Sequence, residues 1–167
     1  MTATRSSVDV GRSHIYAAEH MYSRLCARAN TVDGKATVDI AGRTVTLPAE
    51  RHFGQLADVD RYIRAVLAAD PDTAGIPAPT VRARRGELRA HWKAGVIALP
   101  DTGFGRSEHT VLHELAHHVA AAKGVGHPGH GPGWRYWLCR LHTAATGPEG
   151  GWALGVLIDQ AVTGEHR

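Results

Sequence analysis

The segment HELAH, from His113 to His117, combines residue types and a spacing that suit metal-dependent hydrolysis. Residues four apart on a helix are neighbours, with Cβ atoms about 5–6 Å apart, so both imidazoles can approach one ion. Neutral imidazole is a favoured ligand of Zn²⁺. Glu114 is turned about 100° from His113 around the helix axis, where a carboxylate can take a proton from a water molecule beside the ion. We therefore predict His113 and His117 as ligands of a Zn²⁺ cofactor and Glu114 as the general base.

The chain contains twelve histidines, so this pattern has to be weighed against a chance match or a solvated histidine patch. On a helical wheel the apolar side chains of the segment fall on one side: Val111, Leu112, Leu115, Val119 and Ala122. The two histidines lie nearly opposite, flanked by Ala116, Ala120 and Ala121. One face can enter the core while the other leaves room for an ion and a substrate. This division favours a metal site.

A catalytic zinc site needs a third protein ligand, because three ligands and one water are its usual arrangement. The candidates are His118, His127, His130, His142 and Glu149. His118 points away from the paired face, and glycines surround His127. His130 directly precedes Gly131-Pro132 and a helix start, which restricts its backbone. His130 is therefore the preferred third ligand, while spacing alone leaves the others open.

These residues resemble the metal site of SprT-like zinc metallopeptidases. The likeness lies in HELAH followed by HGPGW from His130, and it is closer still to small HExxH metallohydrolases. In that family the third ligand is the histidine of an HGxxF/W-type motif, which corresponds to His130, with Trp134 at the aromatic position. The upstream HWKAGVIALP resembles the family's strand that leads to the metal helix. The metzincin pattern does not fit, because Ala120 and Lys123 occupy its glycine and third-histidine positions.

The resemblance covers about residues 80–142, taken here as the core of the metal site. It implies a zincin-like metallopeptidase that acts on peptide or protein substrates, in which Glu114 moves a proton from water to the leaving amine. The oxyanion needs a second stabiliser beside the metal, for which Tyr136, His127 and Arg135 are the candidates. Substrate would lie antiparallel along an exposed strand of the 80–99 sheet. Carboxylates that could orient the ligand imidazoles are Asp101, Glu108, Glu149 and Asp159.

Two interpretations outside catalysis remain open. If His127 joins the other three histidines, four protein ligands leave no position for water, and the zinc is structural in a binding module. The second interpretation concerns the arginines of VRARRGELR: Arg82, Arg84, Arg85 and Arg89. On a hairpin several of them would share one face, which is either a solvated surface or a surface that binds nucleic acid or an acidic partner.

Apolar periodicity predicts an α+β, zincin-like fold with a small antiparallel sheet packed against several helices, including the HExxH helix. Helices are expected over about residues 13–29, through 56–67, over 108–122, from 132 and around 152–158. A hairpin is expected at Ala41-Gly42, and two or three antiparallel strands within residues 80–100 are expected to turn at Arg85-Gly86 and Ala94-Gly95.

The whole-chain properties fit one domain over residues 1–167, with 43% hydrophobic and 21% charged residues. A formal charge of +3 permits contact with a polyanion without requiring one. Cys26 and Cys139 are expected as small buried side chains, which favours a reducing cytoplasm. No secretory signal or membrane span is expected. The sequence gives no indication of the oligomeric state.

Overall fold

The computed structural model describes residues 7–29, 34–86, 89–101, 104–126 and 129–164. The helices are α1 (Ser7–Ala27), α2 (Leu56–Ala69), α3 (Glu108–Ala122), α4 (Pro132–Thr146) and α5 (Pro148–Thr163), with a 3₁₀ turn at Phe104–Arg106. The strands are β1 (Lys35–Ile40), β2 (Arg43–Pro48), β3 (Thr80–Arg84), β4 (His91–Lys93) and β5 (Val96–Pro100). The predicted α+β class is confirmed.

Strands β1 and β2 form the antiparallel hairpin that the sequence predicts. Its two turn residues, Ala41 (φ 51°) and Gly42 (φ 75°), both have positive φ. Two such residues give a turn whose twist matches that of the strands it joins. Val45 and Leu47 of β2 are almost completely buried, and the strand packs against α5.

The second sheet has the strand order β3-β5-β4, and its pairing differs from the prediction. β4 and β5 are antiparallel across the expected Ala94-Gly95 turn, but β3 pairs with β5 in parallel. The prediction of a wholly antiparallel sheet is therefore wrong. Ile97, Ala98 and Leu99 are fully buried, as expected of a central strand that has partners on both edges. β4 lies at the far edge of β5, so the expected turn at Arg85-Gly86 does not join β3 and β4 in a hairpin.

The helices surround one hydrophobic core. α1 packs on α5, α4 packs on both α3 and α5, and α2 contacts α4 and β3. The largest fully buried apolar side chains include Ile15, Leu47, Ile63, Ile97, Leu112, Leu115, Leu138, Leu141 and Leu154. Cys26 is buried as expected, Cys139 is partly buried, and both are free thiols. In the described part of the chain, no helix has the length and apolar character needed to cross a membrane.

Candidate metal centre

Helix α3 is fixed at its start by two polar groups. The Ser107 hydroxyl caps it by accepting a hydrogen bond from the Thr110 backbone N–H at 3.3 Å. The buried carboxylate of Glu108 accepts hydrogen bonds from Arg51 at 2.5 Å and from the Tyr62 hydroxyl at 2.6 Å. These contacts anchor the first turn and thereby set the rotation of the helix that carries His113.

The two faces of α3 differ less in burial than the helical wheel suggests. The apolar side chains of Val111, Leu112, Leu115 and Val119 are fully buried, as predicted. Ala116 and Ala120, expected to leave open space beside the histidines, are fully buried as well. Ala121 is exposed. The space for an ion therefore arises where His113 and His117 meet neighbouring elements.

Three histidines converge at this place. The ligand nitrogens of His113, His117 and His130 all lie within 4.8 Å of one another. His113 Nε2 is 3.2 Å from His130 Nε2. In a tetrahedral zinc site with Zn–N bonds of about 2.0–2.1 Å, two ligand nitrogens are roughly 3.3–3.4 Å apart. The structure thus brings together the three ligands that the sequence predicts, and they lie close enough to bind a metal ion.

Aromatic rings enclose the three imidazoles. Trp134 is fully buried, and its ring centroid lies 4.8, 5.2 and 4.5 Å from those of the three histidines. Tyr16 of α1 stacks on His113 at 5.4 Å, and Trp92 of β4 stacks on His117 at 6.4 Å. These contacts restrict the ring rotations, so the ligand geometry is held before any ion binds.

A buried glutamate orients His113. The Glu19 side chain is 1% exposed, and its Oε1 and Oε2 lie 2.9 and 3.1 Å from His113 Nδ1. An Nδ1–H that donates to this carboxylate leaves the lone pair on Nε2, the nitrogen that faces His130. A carboxylate behind a histidine ligand is a common means of fixing its tautomer and raising its basicity.

Glu19 was not among the carboxylates suggested from the sequence for this role. Three of those four are engaged elsewhere: Glu108 with Arg51, Asp101 with Arg106, and Glu149 with the Thr46 backbone N–H. Asp159 accepts a hydrogen bond from the Thr163 hydroxyl through its backbone carbonyl. A signal for Glu19 exists in the sequence, because it falls four residues after Ile15 on the apolar face of α1. A carboxylate on a buried face requires a partner.

Burial sets the charge states of the three converging histidines. Desolvation lowers the pKa of His113 and of His117 to about 3 and that of His130 to about 4, and the Arg12 guanidinium contributes in the same direction. The three imidazoles are therefore neutral near pH 7, which is the state that a metal ion binds.

Burial acts in the opposite sense on the two glutamates. Desolvation raises the pKa of Glu114 to about 7, although a hydrogen bond from the Trp92 backbone N–H and the charges of Arg84 and Arg12 oppose the shift. Burial also raises the pKa of Glu19 to about 7. A carboxylate with a pKa near neutrality is suited to accept a proton and release it again.

A cavity of about 630 Å³ opens onto the three histidines and Glu114. Its other walls come from α1, from β4 with the residue before it, and from the start of α4 with the loop before it: Gly11, Arg12, Tyr16, Ala90, His91, Trp92, Gly129, Gly131, Pro132 and Arg135. Strand β4 is an edge strand of its sheet. The cavity therefore places a strand edge, the Glu114 carboxylate and the three imidazoles beside one another.

Comparisons of the chain with protein-family models, with curated proteins and with solved structures found no match. What the centre can do therefore follows from the chemistry of its own residues. Three neutral imidazoles form a ligand set for a divalent metal ion, and Glu114 shares the cavity with them.

The three candidate oxyanion stabilisers have different positions. Arg135 lines the cavity, and its Nε donates to the His130 carbonyl at 3.2 Å. The Tyr136 side chain is 54% exposed, accepts a hydrogen bond from Arg140 at 2.6 Å, and is not among the described residues that line the cavity. His127 lies outside the described residues. Tyr16 also lines the cavity, but it belongs to a helix without a recognisable motif and was not among the residues predicted from the sequence.

Of the other candidates for the third ligand, two histidines are held apart from the cluster. His118 Nε2 donates to the Pro77 carbonyl at 2.8 Å, and its Nδ1 accepts from the Trp92 indole at 3.2 Å. His142 is 1% exposed and packs edge-on against Tyr22. Among the described residues, His130 is therefore the one of these candidates that joins the pair on α3.

The four arginines suggested as a binding surface separate into two pairs. Arg84 and Arg89 line a groove that adjoins the metal cavity. Arg82 and Arg85 are exposed and are not among its described lining residues. Two of the four arginines therefore border the space beside the metal cavity.

Proposed function

We propose that the protein is a zinc-dependent metallohydrolase with a zincin-like fold, acting as a metallopeptidase on peptide or protein substrates. The supporting observation is the convergence of His113, His117 and His130 within 4.8 Å beside Glu114 in one cavity. Three imidazoles suit zinc and leave a coordination position for solvent or substrate. A cytoplasmic location, consistent with the two free thiols, belongs to the same proposal.

The residues present fit such an ion. The three histidines would hold it as neutral imidazoles, and Glu19 would keep His113 in the tautomer with Nε2 available. When bound, zinc supplies Lewis acidity, which acidifies water and polarises the substrate carbonyl.

Glu114 carries the proton transfers. Its carboxylate accepts a proton from the attacking water as the water oxygen bonds to the carbonyl carbon. It then delivers that proton to the leaving nitrogen as the C–N bond breaks, which yields a carboxylate and an amine. The Trp92 backbone N–H helps to orient Glu114, and Arg135 on the cavity wall is a candidate to stabilise the oxyanion.

The edge strand β4 offers a binding mode for an extended peptide. Ala90, His91 and Trp92 line the cavity, and the described sheet pairs β4 only with β5. A substrate backbone laid along this edge would pass the metal centre, with its side chains pointing alternately to either side. A cavity of about 630 Å³ also favours catalysis over a closed structural zinc site, because it gives a substrate access to the ligands.

Replacing the base tests the proposed reaction. Glu114→Gln should retain one zinc per chain, because Glu114 is not a ligand, and should lose hydrolysis by at least about a hundredfold. Zinc content by mass spectrometry and cleavage of a peptide library are the measurements. Glu149→Gln makes the same chemical change outside the cavity and should keep full activity. Undiminished cleavage by Glu114→Gln would refute the assignment of the base.

Replacing a ligand tests the metal centre itself. His117→Ala should abolish stoichiometric zinc, whereas His118→Ala, one residue further on the same helix, should retain it. X-ray absorption of the zinc-loaded protein reports the complete ligand set. Three imidazoles with one oxygen support the catalytic site, while a fourth imidazole, for which His127 is the candidate, would make the zinc structural.

A further inference from the structure

A second groove, of about 900 Å³, continues the metal cavity on the side of His113 and Glu114. Both spaces are lined by Arg12, Tyr16, Ala90, His91, His113 and Glu114. The groove then extends past Arg84 and Arg89 to the 3₁₀ turn and the first turn of α3. A substrate bound at the metal centre therefore has a neighbouring space on this side.

The groove is rich in positive charge. Arg12, Arg84 and Arg89 line it, and Glu114 is the one carboxylate among the lining residues that the structure describes. The Arg84 guanidinium donates to the Arg89 carbonyl, which fixes its position on the wall. Guanidinium groups bind carboxylates in a planar, two-bond geometry, and a concave wall concentrates their potential.

We propose that this groove binds a carboxylate of the substrate, so that the enzyme prefers peptides that bring a carboxylate to this position. The inference rests on the proposed hydrolase function, because it assigns a specificity to the same site. The carboxylate belongs either to an acidic side chain or to the chain terminus. Either source brings a negative charge to Arg84 and Arg89 while the scissile carbonyl lies beside Glu114.

The aromatic residues near the site favour a peptide over a nucleic acid. Trp92 stacks on His117 and donates its indole N–H to His118, and Tyr16 stacks on His113. Their faces are thus engaged within the metal centre, whereas single-stranded nucleic acids need aromatic faces on which bases stack. Arginines without such a platform suit carboxylate recognition.

Binding to zinc-loaded Glu114→Gln protein tests the preference without cleavage of the probe. Three peptides of equal length serve: one with Asp and Glu side chains and an amidated terminus, its Asn and Gln counterpart with the same terminus, and that counterpart with a free terminal carboxylate. We expect the first or the third to bind on the order of tenfold more tightly than the second. The tighter peptide identifies the source of the carboxylate, and equal affinities for all three would overturn the proposal.

Matched arginine variants locate the effect. Arg84→Gln with Arg89→Gln should remove the preference, and the single Arg89→Gln, at an exposed position, should reduce it without a risk to folding. Arg82→Gln with Arg85→Gln removes the same charge outside the groove and should preserve it. Equal losses in both double variants, or tighter binding of a single-stranded oligonucleotide than of the acidic peptide, would overturn the assignment to a peptide groove.

The two proposals fail in different ways. A wild-type protein that discriminates among the three peptides but hydrolyses none would refute the proposed function and leave the carboxylate groove supported. A wild-type protein that cleaves all three peptides equally well would support the hydrolase and refute the groove. Cleavage by the wild type and binding by Glu114→Gln are therefore both measured.

Discussion

The imidazole of His113 lies between the buried carboxylate of Glu19 and the place where its Nε2 meets His130. Glu19→Gln preserves the size of the side chain but removes the negative charge that supports the ligand. We expect zinc affinity to fall by roughly 10- to 100-fold, as is typical when such a partner is removed. Competition with a chromophoric chelator measures it. Glu149→Gln is the control, and an unchanged affinity in Glu19→Gln would show that the contact does not tune the ligand.

Only part of the centre can be predicted from local sequence patterns. His113, Glu114 and His117 follow from helix geometry. Residues three and four apart are neighbours on the surface of a helix, so the spacing within HELAH sets the relative positions of these side chains. His130 follows from the stiffness of the chain before Pro132. The Glu19 contact spans 94 residues and joins two helices that have no shared motif, so its partner could not be named from local spacing.

Helix packing holds the elements of the site in place, and α4 and α5 approach each other closely at Gly151. A Cβ on Gly151 would lie 2.6 Å from the Cys139 carbonyl oxygen, so Gly151→Ala forces the two helices apart. We expect a loss of about 1–3 kcal/mol in the free energy of unfolding, measured with urea.

The same helix provides the control. A Cβ on Gly155 would meet Cys139 Sγ at 3.6 Å, an ordinary contact. Gly155→Ala should therefore be neutral or stabilise the protein by up to roughly 1 kcal/mol through helix propensity. Equal destabilisation by both alanines would mean that close approach at Gly151 is not the cause.

Element types were easier to predict than their pairing. The tight turns at Ala41-Gly42 and Ala94-Gly95 are local, and each defines a hairpin by its backbone angles. The parallel pairing of β3 with β5 depends on where the connection through Gly86 carries the chain, and no local pattern encodes that path. The burial of Ala116 likewise depends on elements that pack around α3.

At the scale of the whole molecule, the centre draws on elements far apart in the sequence. Residues 80–142 supply the three histidines, Glu114, Trp92 and Trp134, but α1 adds Glu19 and Tyr16 from outside that range. α1 in turn packs on α5. The arrangement of the three histidines is therefore coupled to the folding of the chain from its first described helix to its last.

Buried ionisable groups tie the stability of the metal-free protein to pH in two opposing ways. The pKa values of His113, His117 and His142 are lowered from 6.5 to about 3, so their contribution is present above pH 6.5 and is lost as pH falls towards 3. The pKa values of Glu19 and Glu114 are raised from 4.5 to about 7, so their contribution is complete below pH 4.5 and is lost as pH rises through 7. The two sets oppose each other between pH 4.5 and 6.5, and only the histidine loss continues below pH 4.5.

The stability of the metal-free protein should therefore fall most steeply between about pH 4.5 and pH 3. His142 is a suitable probe, because it is 1% exposed and is separate from the metal ligands. His142→Leu removes one group that must take up a proton when the chain unfolds, so the acid midpoint should move to lower pH. Far-UV circular dichroism with a chelator present measures it, and the exposed His52→Gln serves as the control. A midpoint that moves equally in both variants would contradict the role given to buried neutral histidine.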